Sequence, residues 1–272
     1  MTDSTQKIPA SGDESNYQIQ INLWLKTALC TLLLLSRLFS LELPLPPPNP
    51  LSQPVEYLHY YPPHYLCGLQ RTIGWRPNAP LLISGMILIP TAFLLDESIR
   101  DFAVEKGFFS DDISRIGDIY GHRLSYFAAA AVVGAHGMVR HQPWNKTFSQ
   151  IELLATSAIT TALMTETLKY VTHRERPNGK SYKSFPSGHT SGTFNLAAGL
   201  NEIFGRKVGI PAYLMATFVA ASRINDDKHH FSDVVAGAFL GIWIGRSFAR
   251  QHHIEWQMSV GESPTLSLKI RL

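Results

Sequence analysis

The chain has 272 residues, 45% of them hydrophobic and 17% charged, with 24 Lys and Arg set against 21 Asp and Glu. That length holds one sizeable domain or two small ones, and the composition is apolar for a cytosolic protein yet short of a series of unbroken 20-residue apolar spans. A formal net charge of +3 gives no argument for nucleic acid as a partner, and the two cysteines, Cys30 and Cys67, supply neither a metal knuckle nor a disulfide framework.

Residues 1–20 are polar, and residues 21–41 (INLWLKTALCTLLLLSRLFSL) are apolar apart from Asn22, Lys26, Arg37 and a few hydroxyls. The apolar core from Ala28 to Leu35 is short for a span and suits the central region of a signal peptide. No small-x-small cleavage site follows, so an uncleaved anchor is equally open. Either way the expected location is the cell envelope, exported or membrane-anchored, and periplasm-facing if the source is bacterial. The following LPLPPPNPLSQP cannot sustain a helix and reads as an extended linker.

Six apolar segments come next, at about 81–95, 124–139, 151–171, 189–204, 208–222 and 234–249, each bounded by Gly, Pro or charge. Their length and Ala/Leu content predict an all-α bundle of about six helices. The segments are short for bilayer spans, and Glu152, Glu166, Asn195, Asn201 and Glu202 are costly facing lipid. A bundle in, on or beside a membrane is therefore favoured over a fully polytopic one. In the tail, HIEWQMSV and TLSLKIRL alternate polar and apolar residues around GESP, which predicts a short C-terminal β-hairpin. The expected organisation is an N-terminal export or anchor region with linker (1–80), a helical domain (81–252) and a tail (253–272).

Three polar clusters interrupt this pattern. KYVTHRERP, from Lys169 to Pro177, is basic, with Lys169, Arg174 and Arg176 followed by Lys180 and Lys183; Arg176 precedes proline, which ends the helix near there. Alone it reads as a solvated helix end whose cations complement the macrodipole. In SFPSGHTSGTF, Ser187 is an N-cap candidate for a helix starting at Gly188–His189, whose free N–H groups suit an anion. An ordinary capped helix start explains that stretch equally well. In SRINDDKHHFSD, Ser222 and Arg223 close one helix, and His229 and Asp233 lie four apart, a spacing at which a carboxylate can hold an imidazole N–H.

Taken together, the three clusters resemble the superfamily of type-2 phosphatidic acid phosphatases and vanadium haloperoxidases. Its pattern is Lys-x6-Arg-Pro, Pro-Ser-Gly-His and Ser-Arg-x5-His-x3-Asp. The matches are Lys169 to Arg176–Pro177, Pro186–Ser187–Gly188–His189, and Ser222–Arg223 to His229 to Asp233, in order and correctly spaced, within about residues 81–250. The resemblance implies that Lys169, Arg176, Ser187, Gly188 and Arg223 bind a phosphoryl group at the helix ends. It implies that His229, held by Asp233, is the nucleophile that forms a phosphohistidine, and that His189 is the general acid and base. It also implies that no metal ion or other cofactor takes part.

The run SRINDDKHHFSDVVAGAFLG is most similar to the lipid-phosphate branch, so the expected substrate is a phosphorylated envelope lipid and the expected partner a membrane. A soluble acid phosphatase of broad specificity is the alternative, with a haloperoxidase or a catalytically silent envelope protein further behind. The head group and the oligomeric state are not legible. Of the adjacent pair His229 and His230, the spacing from Ser222–Arg223 selects His229. The remaining histidines, His122 and His173 among them, read as structural.

Overall fold

The computed structural model describes residues 65–257, in which the regular elements are all helices and no strand occurs. The helices are α1 (65–73), α2 (Trp75–Phe93), α3 (Asp96–Lys106), α4 (Asp111–Tyr120), α5 (Leu124–Val139), α6 (Trp144–Thr172), α7 (Gly188–Phe204), α8 (Arg206–Asn225) and α9 (Phe231–Gln257). All six expected segments are helices. The three further ones, α1, α3 and α4, are short or charged, and so fall below the apolar periodicity that identifies the others.

The centre of the bundle is α7 against α9, the most extensive helix pair, with α6 and α8 packed on α7. Glycine spacing explains how α9 comes so close. A Cβ on Gly237 would lie 2.7 Å from the Ser187 carbonyl oxygen, on Gly241 2.3 Å from that of Ser191, and on Gly245 2.7 Å from the Ala198 Cβ. These positions recur every four residues, so one face of α9 lies directly on the backbone of α7. Beside this seam Leu153, Leu240, Ile244 and Phe248 are almost fully buried, each contributing about 1.5–3 kcal/mol by removal from water.

Beside Leu153 and Leu154, helix α6 buries the small polar residues Ser149, Thr156, Ser157, Thr160, Thr161 and Thr165, while Ile159, Leu163, Tyr170 and Val171 are exposed. Thr156 and Thr160 donate to the carbonyls four residues back (2.7 and 2.9 Å), and Ser157 donates to Asn195 on α7 (3.1 Å), whereas the buried Thr161 Oγ1 has no hydrogen-bond partner. Apolar outer faces also mark α2 and α5, where Met86, Ile87, Phe127, Met138 and Val139 are exposed.

The expected hairpin is corrected in its first half. His253–Gln257, the start of the first expected strand, continues α9 as helix. Adding a residue to a helix already anchored by packing is easy, whereas a two-stranded ribbon is marginal by itself. The rest of that hairpin, and residues 1–64 of the expected signal or anchor region with linker (1–80), lie outside the described residues, while 65–80 are largely helical.

Candidate active site

All three motif clusters meet at one end of the α6–α7–α8–α9 core. Helix α6 stops at Thr172, four residues earlier than the proline suggests, because His173 turns into the left-handed region (φ 44°, ψ 40°). Its ring stacks on Tyr182 (centroids 4.9 Å apart), so His173 is a structural turn residue. Lys169 remains in the last turn of α6, pointing across to α7: a Cβ on Gly188 would sit 3.1 Å from its Nζ. Glycine at 188 thus keeps the first turn of α7 open to the lysine.

Ser187 caps α7 as expected. It is fully buried, its side chain accepts from the Thr190 N–H (3.5 Å) and hydroxyl (3.0 Å), and its own N–H donates to the Asp233 carbonyl (3.0 Å). The α7 N-terminus is therefore tied to the start of α9.

His229 lies two residues before α9 and is 4% exposed, with its Nδ1 3.7 Å from Asp233 Oδ2, an ion-pair contact longer than a hydrogen bond. Burial lowers its pKa; the Asp233 carboxylate opposes this, and Arg176 and Lys169 reinforce it. Both motif cations thus act electrostatically on the same histidine. The Arg176 Nε is buried without a hydrogen-bond partner, a donor oriented toward nothing in the protein. His230 turns away: its Nε2 lies 3.3 Å from the Glu175 carbonyl, and its links to Asp233 run through its backbone, whose N–H donates to the carboxylate (2.8 Å) and whose carbonyl accepts from the Asp233 N–H (3.2 Å).

Asp233 is the most tightly fixed group of the site. It stands third in α9 and reaches back to the His230 N–H, half of a capping box. It also accepts from Ser184 Oγ (2.5 Å) and Arg174 Nη1 (2.7 Å). Burial alone would raise its pKa, but His229, Arg174 and Ser184 hold it below the usual carboxylate range.

Sequence reasoning placed Arg174 in a solvated helix end. Instead it bridges Asp233 and Asp96 (Nη2 to Oδ2 2.7 Å), with its guanidinium 4.7 Å from the centre of the Phe93 ring. Asp96 opens α3 and accepts from both the Ser232 N–H and hydroxyl at 2.7 Å. Nothing in a one-dimensional pattern links Asp96 to Arg174, 78 positions away.

Arg223 is 1% exposed and pairs with Asp226 (3.0 Å) and, at short range, with Asp118 of α4. His189, in the first turn of α7, stands beside it with its side chain about one-third exposed. Burial, Arg223, His229 and Lys228 together push its pKa down to about 4, against the pull of Asp118. His229 and His189 are thus close enough for charge on one to oppose protonation of the other. The arrangement offers a tetrahedral anion several cations, a glycine-opened helix N-terminus and two histidines at one end of the bundle.

Residues 151–257 match the profile of the PAP2 superfamily, and this segment holds all three clusters. A lipid A 1-phosphatase of Porphyromonas gingivalis is 28% identical over 62% of this chain and 37% of its own length. A probable lipid phosphate phosphatase 4 of Arabidopsis thaliana is 36% identical over 27% of this chain and 28% of its own. The chain thus spans well under half the length of these curated relatives. In fold, it is similar to the first transmembrane PAP2 type phosphatidylglycerolphosphate phosphatase from Bacillus subtilis, with a TM-score of 0.52 and 20% identity over 69% of this chain and 99% of that one.

Proposed function

We propose that the protein is a metal-independent phosphatase acting on a phosphorylated lipid through a phosphohistidine. The observation that carries this reading is the convergence on buried His229 of Asp233, Lys169 and Arg176, the last with a buried donor that has no protein partner. In the first step His229 attacks phosphorus, the P–O ester bond breaks, and His189 gives a proton to the departing oxygen. In the second, His189 takes a proton from water, the hydroxide attacks phosphorus, and the P–N bond breaks to release inorganic phosphate and restore His229. Lys169, Arg176, Arg223, Ser187 and the Gly188 N–H hold the phosphoryl oxygens through both transition states.

A lipid substrate is supported by the surface beside the pocket. Helix α4, which carries Asp118, exposes Ile113, Ile116 and Ile119, and the outer faces of α2, α5 and α6 are also apolar. No single helix among the described residues is long and apolar enough to cross a bilayer; α2 and α3 pass together as a pair bent by 59°. We read the bundle as seated against the membrane by these faces, with the pocket opening near the lipid head groups.

The test is phosphate release from a panel of lipid phosphates and from p-nitrophenyl phosphate, with and without EDTA. The expected result is turnover of a lipid phosphate that survives EDTA and is blocked by vanadate, whose trigonal-bipyramidal form mimics the transition state. Turnover of soluble esters only would replace the lipid reading with a broad-specificity acid phosphatase. Loss of activity on chelation would overturn the metal-free mechanism.

A further inference from the structure

The three motifs leave one side of the pocket unassigned, and α4 fills it. Ser114, Gly117, Asp118 and Gly121 follow the i, i+3, i+4, i+7 spacing of a single helical face, and each meets the site. Ser114 donates to Asp226, the second carboxylate on Arg223. A Cβ on Gly117 would collide with Ser222 Oγ at 2.3 Å, and one on Gly121 with Cδ2 of the His189 ring at 2.5 Å. Between these glycines Asp118 places Oδ1 3.3 Å from His189 Nε2, 3.6 Å from Lys228 Nζ and in contact with Arg223. The ring of His189 is therefore held from α4 alone on two sides, by a carboxylate on one nitrogen and a bare backbone against one edge.

We infer that Asp118 is the positioning residue for His189, pairing with Nε2 so that proton transfer to the leaving group runs through Nδ1. The logic is that of any carboxylate–histidine pair: the nitrogen facing the carboxylate keeps its proton, and the other exchanges one with the substrate. Asp118 acts through His189, while Arg223 and Lys228 fix where the carboxylate stands. This pairing also counters a problem of the site, since burial and the cations Arg223 and Lys228 all work against protonating His189. The inference rests on the phosphatase reading above and adds to it a residue that lies outside the PAP2-matched segment.

The test separates leaving groups. Asp118→Asn is assayed on p-nitrophenyl phosphate, whose leaving group departs without a proton, and on a short-chain phosphatidate, whose alcohol needs one. A positioned general acid contributes about 10²–10⁴-fold where protonation matters, so kcat on the phosphatidate should fall by at least about tenfold while the aryl ester loses little. Asp118→Glu should recover part of the loss. In a His189→Ala background Asp118→Asn should cost nothing further on the phosphatidate. Gly121→Ala, which displaces the ring without touching the carboxylate, should give the same split, and covers the case in which Asp118→Asn fails to fold. Equal losses on both substrates would mean that the carboxylate only holds Arg223, and equal gains or no change would make it an obstacle or a bystander; each overturns the inference. If the wild-type protein shows no His229-dependent turnover of either substrate, the phosphatase reading itself fails and takes this inference with it.

Discussion

His229 and His189 each face a carboxylate, and the two pairs are built in different ways. Asp233, opposite His229, is fully buried and receives Ser184, Arg174 and a backbone N–H before it meets the imidazole. Asp118, opposite His189, is half exposed and receives only cations and the ring itself. The first pair sits inside a fixed hydrogen-bond network; the second stands at the mouth, on a short helix. A group that must attack the same atom in every turnover gains from rigidity. A group that must hand a proton first to a leaving alcohol and then take one from water needs solvent within reach. The difference in burial therefore matches the difference in proposed role.

The largest expected effect breaks the pair at the proposed nucleophile. His229→Ala should reduce turnover by on the order of 10⁴ or more, and abolish labelling of the protein by a radioactive phosphoryl substrate. His230→Ala should retain activity within a few-fold, because its ring contacts the Glu175 carbonyl and not the pocket cations. A dead His230→Ala beside a His229→Ala that still forms the phosphoenzyme would reverse the assignment. Asp233→Asn comes next, with an expected loss on the order of 10²–10⁴ in kcat, since the amide can no longer support the charge that develops on the imidazole.

How much of this was legible from the sequence depends on how local each contact is. Ser187, Gly188 and His189 are consecutive, so capping rules reach them; His229 and Asp233 are close in sequence, but His229 precedes α9, so their 3.7 Å contact comes from the turn before the helix and not from a shared helical face. Lys169 and Arg176 flank a helix end that proline announces. Arg174 was visible only as one more cation in a basic run; its partners lie 59 and 78 positions away, so no spacing rule connects them. Asp118 was missed because α4 reverses the usual code. Its isoleucines face out and its small residues face in, which a search for an inward apolar stripe passes over. The signal that could have found it is the Ser114–Gly117–Asp118–Gly121 series, read as a close-packing face. The tail failed for the opposite reason: its alternating pattern suggested strand pairing, while the well-packed α9 simply propagated into it.

Stability measurements sharpen the comparison further. Asp96→Ala removes the far anchor of Arg174 and leaves a largely buried guanidinium half-paired beside Asp233. Losing one partner of a buried ion pair costs about 3–5 kcal/mol, so the urea midpoint should drop clearly. Asp118→Asn at the exposed pair should shift it far less. Equal shifts would contradict the distinction between a fixed and an open carboxylate. Gly241→Ala probes the seam that brings the two histidine-bearing helices together; its Cβ would lie 2.3 Å from the Ser191 carbonyl oxygen, backbone that has little room to yield. Overpacking of this kind costs about 1–3 kcal/mol. Activity should fall with it if the α7–α9 spacing sets the separation of His189 from His229.

The smallest expected effect is on the pH dependence of folding. Burial lowers the pKa of His189, His229 and His230 alike, to about 4 for His189 from an ordinary 6.5. Between those values the unfolded chain takes up protons that the native protein refuses, so native stability rises with pH across this window and falls on acidification. Asp118 and Asp233 have depressed values, so the stability they contribute is present above the ordinary carboxylate range and is lost only as pH falls through their folded values. They therefore steepen the acid end of the curve and do not offset the histidines. The melting temperature in phosphate-free buffer should decline from about pH 7.5 to about pH 4.5 and be flat just above. His229→Ala and His189→Ala should each flatten the decline, the first more cleanly because His229 is the more deeply buried. An unchanged slope in both variants would mean that neither imidazole is held neutral by the pocket, and the electrostatic contrast between the two pairs would go with it.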